Sequence, residues 1–552
     1  MPQPLDGPAR ITRRRFLGST AAAAAGVAAF GLGTPARAGA VPPGTGAQAA
    51  CDLPPEVLQR IVRGWRRDRS GQLIIVPHGM DFVSGGISHS TPFAYTQDVP
   101  MLWYGPGFIQ PQGAVERSAT LADVAPTIAK LIGFDWTAPD GVPMTGALVP
   151  GAPAPKLVVV LVWDAGGRFV LDIWPKSWPN LKGLIPQGTW FERATVGSSP
   201  SNTAPAHANI GTGAFPSRHG VMDNYNRYPD GSVHDPYFHG PNNALLCRTL
   251  AEDYQAAAGS DAVVGLAASI PWHLGMIGRG SDGGGPQTLA VLRKSGVELG
   301  DASSSWGLPD RLAQFYRSVD YVNDPDVVPP LETFWHVAET LGGGHAGSGT
   351  WRGHSIQKLG NGFETPARVP FQQAVWQALI EREELGTHAA PDLLFLNCKL
   401  IDEVGHHYTA SGIEMKDAVQ TQDRWLGKFV RFLDRHLPGR YVLAVTADHG
   451  HTAAPEYDDG FAIDEKAIRR LIAERFGTDS LLQIPRPIWL NLDADALRAH
   501  DVTFQQISKL LAGLTKGQTH KQTVTVPPSR ANERVFDAVF AGSLLGHLDC
   551  SP

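Results

Sequence analysis

Three short apolar runs in this sequence each lead, within a few residues, to side chains that can bind a metal ion. They are Lys156 to Trp163, Asp392 to Leu396 and Tyr441 to Thr446, and Val and Leu dominate them. Runs of this length and composition are typical of strands that are buried on both faces of a parallel sheet. Such sheets collect ligands where the carboxyl ends of neighbouring strands meet. The sequence therefore predicts an α/β protein with a functional site at the carboxyl ends of its strands.

The polar residues after these runs have the chemistry of metal ligands. Asp164 follows the first run, although a turn-closing aspartate is the simpler explanation of this residue alone. The second run leads into Asp402 and His406, whose spacing of four residues places both side chains on one face of a helical turn. Asp448 and His449 follow the third run, and a tight turn there lets both converge on one cation. Carboxylates and imidazoles are ligands of Zn²⁺, so we expect a metal site built from these residues.

The stretch from Ser198 to Asn224 supplies a candidate nucleophile. Thr203 stands two residues before Pro205 and an apolar stretch, so we expect it to cap a helix that starts in the next residues. A threonine hydroxyl is a weak nucleophile at neutral pH and needs a base or a metal ion. The amides of a helix N-terminus bind phosphate groups, and the Asn224 side chain could hold a phosphate oxygen. A plain turn residue is the simpler alternative for Asn224.

The first 40 residues predict export from the cytoplasm. Arg13 to Arg15 precede an Ala-rich apolar run from Ala21 to Leu32, and Ala36 to Ala38 resembles a cleavage site. This order is typical of a twin-arginine signal peptide, so we expect the twin-arginine translocase to carry the folded protein to the extracellular or periplasmic and cell-wall space. The run is too short for a membrane span, and we expect none in the mature chain. A disordered basic N-terminus is the alternative explanation.

The overall composition argues against nucleic acid as a partner and predicts many loops. Charged residues make up 18% of the chain, the formal net charge is −6, and no basic stripe indicates binding to a nucleic-acid duplex. The 61 glycines and 44 prolines indicate extensive loops. We expect a linker over residues 138–155 and insertions at about 280–370 and 453–515.

The order of these motifs resembles that of a known enzyme family. An Asp after the first strand, a Thr before a Pro turn, an Asp-x-x-x-His motif and an Asp-His-Gly motif follow one another as in the type I phosphodiesterase/nucleotide pyrophosphatase family of the alkaline phosphatase superfamily. The resemblance covers nearly all of residues 65–550. It implies an alkaline-phosphatase-like three-layer sandwich with a mostly parallel central sheet and insertions over the active face. It also implies hydrolysis of phosphodiester or phosphoanhydride bonds in a small phosphate ester, through a phosphothreonine intermediate.

The resemblance further implies two metal sites. Their ligands are Asp164, Thr203, Asp448 and His449 at the first site, and Asp402, His406 and a third histidine at the second. Asn224 matches the phosphate-binding asparagine of the family, and His407 and His451 are interpreted as neighbours of the ligands. Zn²⁺ is the ion that the mixed carboxylate and imidazole set favours, although Mn²⁺ and iron accept the same residue types.

The third histidine of the second site normally comes late in the family, after the Asp-His-Gly motif. None of the histidines after His449 has the surroundings that the family shows. His89 has them, because it lies between a Gly-Gly pair and Pro92, ahead of a Val-Pro strand. The resemblance therefore assigns the third ligand to His89, with His547 as the alternative.

The early position of His89 in the sequence implies that the chain is a circular permutant of its family. Residues 52–137 resemble the family's C-terminal piece, moved ahead of residues 156–550. We therefore expect strand 72–77 to lie in the same sheet as the first apolar run, strand 157–163. We also predict a disulfide between Cys51 and Cys550, which lie near the two ends of the mature chain and would mark the old connection.

Other functions remain open from the sequence. A sulfatase needs a Cys or Ser followed by x-Pro-x-Arg, where this chain has Thr203 and His207. A phosphomonoesterase of the superfamily brings an extra Lys or Arg to the ester, but Ala268 to Leu274 contains none before Arg279. We therefore favour a diester or an anhydride as substrate over a monoester. An inactive metal-binding surface protein is a further alternative.

Overall fold

The structure of the chain is a computed structural model described from residue 46 onwards, with gaps. The described residues are 46–83, 88–234, 236, 244–268, 271–278, 287–291, 316–318, 324–454, 460–485, 488–521 and 526–550. The predicted export signal and much of the first predicted insertion lie outside these residues. Within them, no helix is both long enough and apolar enough to pass through a membrane.

Strands and helices alternate along most of the described chain. The strands are β1 (Leu73–Pro77), β2 (Phe82–Val83), β3 (Met101–Tyr104), β4 (Gly113–Thr120), β5 (Leu157–Trp163), β6 (Thr189–Thr195), β7 (Asn226–Arg227), β8 (Val233–His234), β9 (Val264–Ala268), β10 (Gln287–Val291), β11 (Tyr316–Ser318), β12 (Thr350–Trp351), β13 (His354–Ser355), β14 (Asp392–Cys398), β15 (Tyr441–Thr446), β16 (Ala462–Ile463), β17 (Leu482–Pro485), β18 (Trp489–Leu492) and β19 (Phe536–Ala541). The α-helices are Gly46–Cys51, Pro55–Gly64, Ala94–Gln97, Val124–Ile132, Arg168–Ile173, Pro179–Leu184, Thr203–Thr212, Pro216–His219, Leu250–Ala258, Pro271–Gly278, Trp335–Glu339, Arg368–Arg382, Leu400–Tyr408, Ile413–His436, Glu465–Phe476, Ala494–Ala499, Phe504–Ala512 and Lys516–Thr519.

The three apolar runs form β5, β14 and β15, which lie side by side in a nine-stranded sheet. Its order is β11-β10-β9-β14-β5-β15-β3-β6-β4, and only β3 runs antiparallel to its neighbours. Along β5, Leu157 faces an apolar core that includes helix Ile413–His436, and Val158 faces a second core that includes helix Val124–Ile132. The predicted α/β sandwich with a mostly parallel central sheet is therefore confirmed.

The prediction for strand 72–77 is wrong. This segment forms β1, which pairs antiparallel with β18 and β19 in a separate four-stranded sheet of order β17-β18-β1-β19. Leu73 and Ile75 face one small apolar core, and Ile74 and Val76 face another. A short strand that is apolar on both faces fits any sheet that is covered on both faces, so its composition does not select the sheet.

The central sheet nevertheless takes two strands from the same N-terminal piece. β3 inserts between β15 and β6, and β4 forms the sheet's edge beside β6. Residues 52–137 are therefore no separate domain. β1 of this piece lies in the four-stranded sheet, whereas β3 and β4 lie in the nine-stranded sheet. Both β3 and β4 come after the Val-Pro pair, Val99 and Pro100.

The predicted disulfide is present. Cys51 and Cys550 are bonded across 499 residues of sequence. Cys51 ends helix Gly46–Cys51, which packs near β19 through Ala50 and Phe540 in one of the small cores. The bond ties the two ends of the described chain to each other at the small sheet.

Removing this disulfide should destabilise the protein without altering its site. We expect Cys51→Ser with Cys550→Ser to lower the free energy of unfolding by about 2 to 5 kcal/mol, because the cross-link limits the conformations of the unfolded chain. Denaturant unfolding under non-reducing conditions measures the change. Cys247→Ser, which removes a half-buried free thiol, is the matched control. An unfolding midpoint equal to that of the parent protein would contradict the prediction.

Candidate active site

The functional side chains gather where β5, β14 and β15 end. Asp164 directly follows β5, helix Leu400–Tyr408 follows β14, and Asp448 comes two residues after β15. Because these strands are parallel neighbours, their carboxyl ends deliver all three segments to one place. Of the expected metal ligands, only His406 has a substantially exposed side chain, at 42%.

The first group of ligands is built around His449. Its Nδ1 lies 2.9 Å from the Gly450 carbonyl oxygen, so this nitrogen carries the proton and Nε2 has a free lone pair. Nε2 lies 3.2 Å from Thr203 Oγ1, 3.4 Å from Asp448 Oδ2 and 3.8 Å from Asp164 Oδ1. The structure therefore brings together all four residues expected at the first metal site.

The Asp448 carboxylate has a fixed orientation within this group. Its Oδ1 accepts hydrogen bonds of 3.0 Å from the backbone amides of Ala165 and His449. Its Oδ2 is buried and has no hydrogen-bond partner in the described part of the chain. Burial and the nearby Asp164 raise the pKa of Asp448 well above its usual range. A cation bound at Oδ2 would compensate the buried charge of this carboxylate.

The second group consists of His89, Asp402 and His406. Asp402 Oδ1 lies 3.4 Å from Nε2 of each imidazole. His89 Nδ1 faces the Ser201 carbonyl oxygen at 2.9 Å, so its Nε2 is also left as a bare acceptor. His547 lies exposed after the turn Gly542–Gly546 and is not part of the group. Of the two candidate histidines, the structure places His89 at the second site.

Both groups have the chemistry that a bound cation requires. Asp402 Oδ1, like Asp448 Oδ2, is buried without a hydrogen-bond donor among the described residues, and each faces a nitrogen that is itself an acceptor. Buried acceptors that face one another are unfavourable unless a cation lies between them. Burial lowers the pKa of His89 well below its usual range, and it also lowers that of His449. These imidazoles are therefore neutral, as metal ligands must be. The residues fit one divalent ion in each group.

Thr203 stands at the first position of its helix rather than at the cap. Helix Thr203–Thr212 begins at Thr203, and Asn202 is the N-cap residue. The predicted cap was therefore one residue late. The Asn202 side chain does not pair with the helix amides and is held instead by Ser90 and Asp223. This offset lies within the usual uncertainty of helix ends.

Asn224 lies beside this helix start. Its Oδ1 accepts a hydrogen bond of 3.1 Å from the backbone amide of Ala204, the second residue of the helix. The side-chain Nδ2 remains a donor next to the helix N-terminus and to Thr203. The side-chain amide of Asn224 and the positive end of the helix dipole together favour a phosphate group at this position.

The comparison with family models now decides the relationship. The model of the type I phosphodiesterase / nucleotide pyrophosphatase family matches residues 158–270 and 299–537. The chain belongs to this family. Its membership places the chain in the alkaline phosphatase superfamily and makes it a hydrolase of phosphoester bonds. The matched stretches include every proposed metal ligand except His89, which lies ahead of them.

Similar proteins include one named as an ATPase and several named as alkaline phosphatases. A calcium-transporting ATPase of Myroides odoratus is 25% identical over 413 residues, which cover 64% of this chain and 72% of the relative. Alkaline phosphatase PhoK of a Sphingomonas species is 26% identical over 364 residues, covering 59% and 62%. The solved structure of wild-type alkaline phosphatase PafA matches with a TM-score of 0.44 and 17% identity, over 71% of this chain and 85% of that one.

The segment ahead of the family match also contacts the loop before Thr203, residues 198–202. The Ser199 amide donates to the Arg60 carbonyl oxygen at 3.0 Å, and a Cβ atom on Gly64 would lie 1.6 Å from the Ser199 carbonyl oxygen. The helix Pro55–Gly64 therefore holds the loop by direct backbone contact, which only glycine permits. Ser201 Oγ lies 2.7 Å from the carbonyl oxygen of His89 on the other side.

Three buried residues of this site were missed from the sequence. Lys399 lies between two of the ligand carboxylates, Asn397 Nδ2 donates to Asp164 Oδ2 at 3.0 Å, and His207 Nδ1 lies 3.4 Å from Asp448 Oδ2. Of these three, only Lys399 could have been found from the sequence. It stands three residues before Asp402, and residues at this spacing are neighbours on one face of a helix.

The remaining predicted neighbours lie beside the ligands. His451 is buried, and its ring centre lies 5.3 Å from that of His406. His407 is half exposed and lies 3.7 Å from Glu364. His273 is buried, 3.7 Å from Asp164, whereas Arg279 lies outside the described residues.

Proposed function

We propose that this chain is an exported, metal-dependent hydrolase of phosphodiester or phosphoanhydride bonds in small molecules. Thr203 is the nucleophile, and two divalent ions, of which Zn²⁺ suits the ligands best, are held by the two groups described above. The observation that carries the proposal is the position of Thr203 Oγ1. It lies at a helix N-terminus, beside Asn224 and 3.2 Å from His449 Nε2.

The reaction follows from the placement of these side chains. Thr203 Oγ1 attacks phosphorus, a bond from threonine to phosphorus forms, and the bond to the leaving alcohol or phosphate breaks. Water then attacks the phosphothreonine from the opposite side and releases the product and the free hydroxyl. The backbone amide of Thr203 and Asn224 Nδ2 hold the non-bridging oxygens. Two divalent ions held by the two groups of ligands would supply charge stabilisation to such a displacement.

A diester or anhydride is preferred over a monoester because of the charge on the substrate. A monoester carries a second negative charge, which a cationic side chain normally balances. The segment from Ala268 to Leu274 has no Lys or Arg. Burial lowers the pKa of His273 in that segment well below its usual range, so the imidazole is neutral and adds no charge. A phosphomonoesterase remains the second candidate, since several relatives are named alkaline phosphatases.

Export by the twin-arginine pathway is proposed from Arg13 to Arg15 and the apolar run that follows. The bond between Cys51 and Cys550 supports an exported state, because structural disulfides persist in oxidising compartments. Transport of the folded chain would also allow the metal ions to be loaded before export.

The order of the pieces supports a further part of the proposal, a circular permutation of the family's catalytic domain. Residues 52–137 precede the family match, yet they supply β3, β4 and the second-site ligand His89. The segment 138–155 then serves as the new linker between the two pieces. The disulfide between Cys51 and Cys550 lies where the chain of an unpermuted family member would run on from one piece to the other. Permutation of this kind is tolerated when termini lie close together.

One substrate panel tests the proposed activity. At a fixed zinc concentration, we expect a bis-aryl phosphate to be hydrolysed with a kcat/KM roughly ten- to a hundredfold above that of the mono-aryl phosphate, the value of one missing charged hydrogen bond. A dinucleotide and an aryl sulfate complete the panel. Faster hydrolysis of the monoester would favour the phosphatase. Preferred hydrolysis of the sulfate, or no hydrolysis of any ester, would contradict the proposed function.

A further inference from the structure

Lys399 joins the two groups of metal ligands. Its Nζ lies 3.0 Å from Asp164 Oδ1 and 2.6 Å from Asp402 Oδ2. Asp164 belongs to the first group and Asp402 to the second. The lysine side chain is only 8% exposed, and it stands immediately before helix Leu400–Tyr408, which carries Asp402. One buried ammonium group therefore bonds a carboxylate from each site.

The contact with Asp402 decides which of its oxygens is available. Lys399 occupies Oδ2, and Oδ1 is left facing the Nε2 atoms of His89 and His406. Without the lysine, rotation of the carboxylate would offer either oxygen, or both, to a cation. The ammonium group thus selects a single ligand oxygen and aims it at the two imidazoles.

The contact with Asp164 fixes that carboxylate differently, because here the lysine bonds the oxygen that faces His449. Asn397 Nδ2 donates to Oδ2 at 3.0 Å, while Lys399 donates to Oδ1, the oxygen 3.8 Å from His449 Nε2. The carboxylate is therefore held from both sides in a fixed plane. Hydrogen bonds that orient metal ligands in this way contribute strongly to metal affinity in proteins.

The lysine also reduces the repulsion within the site. Asp164, Asp402 and Asp448 bring three buried carboxylates close together, and Lys399 contacts two of them. Buried like charges are costly unless a cation compensates them. A lysine that only compensated charge would, however, repel a divalent ion and weaken its binding. Orientation and charge therefore predict opposite effects of removing Lys399.

We propose that Lys399 is a positioning residue that couples the two metal sites, so that its loss weakens metal binding at both. This inference rests on the proposed two-metal function. It extends that function by making the two sites interdependent, with the side chain that orients Asp402 also orienting Asp164.

Zinc binding to Lys399→Met and Lys399→Gln tests the coupling without any substrate. Competition with a chromophoric chelator gives both dissociation constants, and elemental analysis gives the zinc content. We expect both constants to rise about ten- to a hundredfold, as for other residues that orient metal ligands. Glutamine is included as a polar replacement in case the methionine variant does not fold. Its neutral side chain is one bond shorter than that of lysine and cannot bond both carboxylates, so we expect the same loss. If only the glutamine variant folds, it alone decides.

Lys516→Met is the matched control. Lys516 is 2% exposed and pairs with Asp81 at 3.3 Å and Glu533 at 3.0 Å, and none of these three residues belongs to a ligand group. Its removal also deletes a buried ion pair, so it should lower stability and leave both zinc constants unchanged. Zinc binding to the Lys399 variants that is unchanged or tighter at either site would overturn the inference. Failure of the parent protein to bind two zinc ions would instead overturn the proposed function.

Discussion

Replacing Thr203 with alanine should abolish turnover while both metal ions stay bound. We expect kcat on the bis-aryl phosphate to fall by roughly four to six orders of magnitude, the loss typical of enzymes without their nucleophile. The metal ions should remain, because Asp164, Asp448 and His449 still provide three ligands at the first site. Steady-state kinetics and zinc analysis of the same preparation measure both results.

Two further variants separate loss of the nucleophile from damage to its helix. Thr212→Ala removes another buried hydroxyl from the same helix, one that donates to the Ala208 carbonyl oxygen at 2.6 Å, and it should retain activity. Thr203→Ser keeps a hydroxyl and should retain part of the turnover. Acid quenching of the parent protein during turnover should trap phosphate on Thr203. Activity of the alanine variant within about tenfold of the parent would remove the proposed mechanism.

The sequence was sufficient for the centre of the main sheet and for the grouping of most candidate ligands. The runs that became β5, β14 and β15 are apolar on both faces, and such strands have few alternatives to the centre of a parallel sheet. Ligands at the ends of parallel neighbours must then meet, which is why residues as distant as Asp164 and His449 could be assigned together.

What the sequence could not supply depends on contacts between distant segments. β1 is as apolar as β5, and only its partners β18 and β19 place it in the small sheet. Lys399 resembles a solvated charge at a helix start until β5 lies beside β14 and buries it. The role of Gly64 follows from the approach of the Ser199 backbone, and a single glycine at the end of a helix carries no sign of that contact.

The second metal site leads to the other prediction with a large effect. His89→Ala should remove one of the two zinc ions and reduce kcat by roughly a hundredfold or more, beyond the ten- to hundredfold typical of residues that only orient a ligand. The imidazole provides the bare Nε2 that faces Asp402 Oδ1 at 3.4 Å, and without it the carboxylate and His406 form an incomplete ligand set. Elemental analysis should then find one zinc ion per chain, and chelator competition should find a single dissociation constant.

His547→Ala decides between the two possible orders of the family's pieces. His547 is the histidine that a chain of ordinary order would use after the Asp-His-Gly motif, but it lies exposed beyond β19. Its replacement should leave zinc content and kcat unchanged. The opposite pattern, with zinc lost from the His547 variant and kept in the His89 variant, would contradict the permutation. The expected pattern makes residues 52–137 part of the catalytic centre, because a ligand in that piece completes a site whose other members follow it by more than 300 residues.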